Sequence, residues 1–181
     1  MKNLKINSKY ILVALSAVLA FCFVALLFSS PENNSEKAME ELSRISEAIH
    51  ENFRKKPDYW GLNTQYVINN NLLEDNVKGD KLISVSGNDI LIGGDYQGAV
   101  IMPGSQSFNI IYKDVSRRDC VVLSSYNLDY AEKIGLLSIT IINAHETKEF
   151  SWGGDNELPI SVMQAKNICL NSENTIVWTF K

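Results

Sequence analysis

Histidine and cysteine are scarce in this chain of 181 residues, which has two of the first and three of the second. His145 sits in a polar turn and His50 on the polar side of an expected helix. Neither stands at zinc-motif spacing from a cysteine, so no metal site is expected. Also missing are Gly-x-Ser-x-Gly, His-Glu-x-x-His and any phosphate loop, which removes the usual signatures of hydrolase and nucleotide chemistry. Positive charge is short as well. The formal net charge is −4, and Lys2, Lys5 and Lys9 precede the first acid, so the remainder carries −7. A domain that acidic has no electrostatic footprint for phosphate backbones, which argues against nucleic acid as a partner. The expectation is a non-enzymatic chain without a cofactor.

Long apolar runs occur once. Tyr10 to Phe28 is free of charge, and nineteen residues at about 1.5 Å each roughly match the ~30 Å hydrocarbon core of a bilayer. The three early lysines place residues 1–9 on the cytoplasmic side and send the rest outward. Two alternatives exist. A cleaved signal peptide calls for a small-x-small exit, but the exit here is Leu27-Phe28-Ser29-Ser30. A lipoprotein box calls for a small residue where Phe21 precedes Cys22. The segment reads as a retained single-pass anchor in the inner membrane, with the C-terminal part periplasmic or extracellular.

After a polar break over residues 29–34, Met39, Leu42, Ile45, Ile49 and Phe53 recur every three or four residues. This spacing predicts an amphipathic helix over 35–56, its stripe opposed by Glu40, Glu41, Arg44, Glu47 and Glu51. Asn34 or Ser35 is suited to start it, Arg54, Lys55 and Lys56 to its negative end, and Pro57 stops it. A long rod, half in lipid and half on a domain, is one reading; a hinge at Pro31 is the other. Beyond Pro57 the period becomes two. Leu82–Ser86, Asp89–Ile92, Gly98–Ile101, Phe108/Ile110/Tyr112, Leu137/Ile139/Ile141 and Ile176–Phe180 read as strands between glycine-containing turns. Ser116-Arg-Arg-Asp119 and Ser161-Val-Met-Gln164 read as helix starts. The fold class is therefore α+β: a long helix packed on an antiparallel sheet, with residues 35–181 as one globular domain and 57–181 mainly β.

Cys22 lies in the apolar run, which leaves Cys120 and Cys169 as a pair in the exported part. An even count in an oxidising compartment favours a disulfide, with two buried free thiols as the alternative. Cys120 with His145 makes a thiol dyad only if that cysteine is free. The Trp152-Gly-Gly-Asp155 loop, with Asp155 and Glu157, is a candidate surface for a cation or a sugar, or else a solvated turn with an aromatic anchor. Arg117-Arg118 is an exposed first helical turn or a subunit contact.

Three stretches carry a family resemblance. They are Gly61-Leu-Asn-Thr-Gln-Tyr-Val through Gly79-Asp80, Phe108-Asn-Ile-Ile-Tyr through Cys120-Val-Val-Leu123, and Ala165-Lys-Asn-Ile-Cys169 followed by Asn174-Thr-Ile-Val-Trp-Thr-Phe180. With the N-terminal apolar and amphipathic segments, they resemble type IV pilins of the b class, in particular the PilS-like pilins of thin conjugative or adhesive pili. The resemblance implies a pilin-like fold and a membrane-anchored subunit of a pilus, conjugation or secretion apparatus, acting by assembly and surface binding. Its partners would be other pilin subunits or inner-membrane assembly proteins, and the membrane itself. Pilins of this family carry a basic leader ending in glycine, with a glutamate soon after the cut. Here no glycine precedes Gly61 and no acid precedes Glu32. The expectation is an atypical or minor subunit that prepilin peptidase leaves uncut. The rival reading is a bitopic periplasmic ligand-binding or sensing module that never polymerises.

Overall fold

A computed structural model describes residues 31–126, 134–171 and 173–181. The chain divides into two units, 1–34 and 35–181. The expected anchor at 10–28 and its lysines lie outside the described residues; among those described, no helix is long and apolar enough to cross a membrane.

Helix α1 runs Pro31–Phe53. It is therefore already helical within the expected polar break. Asn34 and Ser35 lie within it rather than capping it. It also ends three residues short of the expected Lys56. Lys56 turns back instead, its Nζ 3.8 Å from the centre of the Phe53 ring and donating to Tyr66 Oη at 2.8 Å. A short helix α2 (Thr64–Asn69), missed by the periodicity, is capped by Asn63, which accepts from Tyr66 N. A 3-10 turn over Glu74–Asn76 leads into the sheet.

The strands are β1 (Val77–Lys78), β2 (Lys81–Ile83), β3 (Asp89–Gly93), β4 (Phe108–Val115), β5 (Leu136–Ile142), β6 (Thr147–Ser151) and β7 (Asn174–Phe180). They form one sheet in the order β1-β2-β3-β4-β7-β5-β6, every neighbouring pair antiparallel. The C-terminal strand thus lies inside the sheet, between β4 and β5. Alternation turns Phe108, Ile110 and Tyr112 of β4 and Ile176, Trp178 and Phe180 of β7 into the core with Leu42, Ile45, Ile49 and Phe53 of α1.

Two expected strand readings are corrected. Gly98–Ile101 is not a strand. Asp95 Oδ1 accepts from Gln97 N and Ala99 N, and Gly94 N donates to Ala99 O, so the chain doubles back there. The turn is so close that a Cβ on Gly93 would collide with the backbone of Gly98 and Ala99. In β5 the alternation slips: a register shift between Leu136 and Ser138 buries Leu136 and leaves Leu137 exposed.

Both sheet edges are short or covered. β1 has two residues. Along β6, Asn156 Nδ2 donates to Glu149 O, Ser151 N to Asn156 O, and Leu158 N to Ser151 O. Helices α3 (Arg117–Ser124) and α4 (Val162–Ile168) start at the expected serines. Ser116 accepts from Asp119 N, and Ser161 with Gln164 completes a reciprocal capping box.

Candidate functional site

The stripe on α1 is core. Leu42, Ile45, Ile49 and Phe53 are buried and Met39 is half-buried. What α1 presents outward is charge: Glu36, Lys37, Glu40, Arg44, Glu47 and Glu51. Glu41 is the correction to the expected polar face, being only 3% exposed. Its Oε2 accepts from Tyr112 Oη at 2.7 Å, and its Oε1 accepts from Val85 N at 2.9 Å and from Asn76 Nδ2. Asn76 Oδ1 in turn accepts from Arg44 Nη2. Burial, and then the charge of Glu41, push the Tyr112 phenol well above its ordinary range, so it stays a donor.

The Trp152 loop is held rather than floppy. The indole Nε1 donates to Leu136 O at 3.0 Å, leaving the ring 39% exposed. Asp155 and Glu157 are both exposed. Beside them is a cleft of about 300 Å³ lined by Lys148, Glu149, Ser151, Asp155 and Asn156. Among the described residues, no His, Cys, Asp or Glu cluster is able to hold a metal ion. What the loop offers is an aromatic ring with hydrogen-bonding groups nearby.

One exposed apolar surface was not visible in the sequence. Gly61 N donates to Ile101 O and Ile101 N to Leu62 O, each at 3.0 Å, which lays residues 59–62 against 101–105. Asp58 fastens the frame, its carboxylate accepting from Trp60 N at 3.1 Å and Gly104 N at 2.6 Å. On it Trp60 is 63% and Met102 72% exposed, with Val100 and Tyr96 exposed nearby. A second exposed pair, Val162 and Met163, stands on the first turn of α4. Trp60, in a polar stretch just after a helix-ending proline, was the one available signal for the frame.

Cys120 and Cys169 form a disulfide, Cα to Cα 5.9 Å, both buried. It joins α3 to the end of α4 and leaves no thiol for a dyad with His145. Arg117 reinforces the joint by donating to Lys166 O and Asn171 Oδ1, each at 3.2 Å. Arg118 is exposed. His50 is half-buried, its ring edge-on to Phe108 at 5.3 Å.

The profile of the family described as Bundlin matches residues 28–181. Among solved structures, the chain is similar to TcpA, a type IV pilin from Vibrio cholerae El Tor biotype. The TM-score is 0.55 and the identity 13%, covering 82% of this chain and 99% of that one. A type IV b pilin from Salmonella typhi gives a TM-score of 0.49 at 16% identity, over 81% and 97% of the two chains. Curated protein sequences give no match.

Proposed function

Because the chain belongs to the Bundlin family of type IVb pilins, we propose that it is a membrane-anchored subunit of a type IVb pilus or a related conjugation or secretion apparatus. We place it among the minor or atypical subunits, acting by assembly and by presenting a binding surface. The observation that carries this reading is the division of labour on the exported part. The apolar stripe of α1 is used up inside the domain, while its charged face and two exposed apolar patches, Trp60 with Met102 and Val162 with Met163, remain outside. Exposed apolar groups on an otherwise acidic domain mark contact surfaces. A subunit that stacks with copies of itself or with related pilins needs two different patches, because a repeating head-to-tail contact is not self-complementary. The Trp152 loop is the candidate for contacts away from the filament. The apolar run at 10–28 supplies the anchor, and the lysines before it the orientation.

Shearing surface filaments from cells and identifying their subunits by mass spectrometry tests this. The chain is expected in the sheared fraction at low abundance relative to a major pilin. Recovery solely from the inner membrane, with filaments unaffected by deletion, would favour the non-polymerising sensing module instead.

A further inference from the structure

We propose that the frame bearing Trp60 and Met102 on one copy of this chain docks on the outer face of helix α4 of a second copy. The inference goes beyond the assembly reading by naming the two faces that meet. It takes from that reading only that copies touch.

The two faces differ in charge. The frame is built from residues 58–62 and 95–105, which contain Asp58 and Asp95 and no lysine or arginine. Both carboxylates accept backbone N–H groups, Asp58 from Trp60 and Gly104, Asp95 from Gln97 and Ala99. Among the described residues, neither is in an ion pair. On α4, positions 162, 163, 166 and 167 share one side of the helix and are exposed, while Ala165 and Ile168 are buried. That side carries Val162, Met163 and Lys166, and residues 161–167 contain no acid. Arg117 lies against the same helix, donating to Lys166 O. Each face thus joins exposed apolar side chains to charge of one sign, and the signs are opposite. This favours the mixed pairing over either face meeting its own kind, where like charges are brought together.

The faces also lie at opposite ends of the sheet. Tyr59, within the frame, packs on Phe108 with ring centres 4.8 Å apart, and Phe108 is paired with Phe180 at that end of β4 and β7. Helix α3 follows Val115, which is paired with Asn174 at the other end, and the disulfide ties α4 to α3 there. Strands of this length, at about 3.3 Å per residue, set the two ends roughly 20 Å apart. A contact from one end of a copy to the other end of the next repeats without either face being self-complementary.

Cross-linking in membranes that overproduce the full chain tests this and needs no filament. Met102 and Met163 are exposed, so cysteine at either position should leave the fold intact. With a short bis-maleimide, Met102→Cys and Met163→Cys produced together should give a linked dimer, and the double variant a ladder. Each single variant alone should stay at the wild-type background set by Cys22. Adding Lys166→Glu puts an acid opposite Asp58 and Asp95 and should lower the yield roughly ten-fold. Dimers from a single variant alone would mean that a face meets its own kind; links solely to other proteins would mean another occupant. Either result overturns the proposal, as does a yield indifferent to Lys166→Glu. Should a new cysteine disturb the Cys120–Cys169 bond, a photo-cross-linking residue at position 102 of the otherwise unchanged chain decides. Its adduct must map to residues 161–167 of another copy, and any other result refutes the contact. The shearing experiment fails separately. Ladders without the chain in filaments would remove the filament reading and keep this contact, and filaments without ladders would do the reverse.

Discussion

Asp95 and Glu41 are carboxylates with donors aimed at them, one on the surface and one inside. The backbone N–H groups of Ala99 and Gln97 hold the Asp95 carboxyl below its ordinary value. A depressed native pKa stabilises the turn at pH values above the unfolded one, and that contribution is lost as pH falls through the native one. The amides of Gln97 and Ala99 are therefore expected to lose protection only below the usual aspartate range, and Asp95→Ala should expose them at every pH; NMR exchange measurements check both. The disulfide permits a second residue-scale prediction. Its partners are 49 residues apart, and closing a loop of that length is worth about 4 kcal/mol in the chain-entropy model. Cys120→Ser with Cys169→Ser should lower the denaturation midpoint accordingly and make the domain sensitive to protease. Cysteine count and compartment made this pair legible in the sequence. Glu41 was not legible. It lies on the flank between stripe and polar face, and it is buried only because Tyr112 and Val85, far along the chain, bring donors to it. Local periodicity contains no such information.

Helix α1 shows what pattern reading does well. Leucine, isoleucine and phenylalanine at three- and four-residue spacing put the stripe where the core is, because the helical period alone decides which side chains share a face. Ile45 is fully buried at its centre. Ile45→Ala should cost about 2–5 kcal/mol by equilibrium unfolding, and Ile45→Asp should abolish the folded domain altogether. A fragment of residues 57–181 would expose the sheet face that α1 covers and is expected to be insoluble; a soluble fragment that melts cooperatively would contradict this packing. The two serine caps were legible for the same local reason, since a cap is made within four residues. The C-terminal end of α1, the Gly98–Ile101 segment and the slip in β5 depend on long-range partners. Gly98–Ile101 has strand-forming residues, but Asp95 turns the chain and Ile101 pairs with Leu62 instead.

For the whole molecule, the exposed apolar frame and the assembly reading can be separated from stability. Trp60→Ala with Met102→Ala removes surface side chains held on a backbone framework that Asp58 fastens independently. Unfolding stability should change by no more than about 0.5 kcal/mol, while filament yield in sheared fractions should fall; a stability loss with unchanged yield would mean the frame is structural. The strap over β6 has a different consequence. If the chain is a pilus subunit, as proposed, gathering many copies before assembly would risk uncontrolled pairing of open strand edges, the route by which ordered β proteins convert to amyloid-like aggregates. Here one edge is a two-residue strand and the other is taken up by Asn156 and Leu158 of the same chain. Neither offers a long row of free backbone groups to a neighbour. Under the proposed reading, contacts between copies would therefore not run through strand pairing at these two edges, the mode that locks chains into fibres.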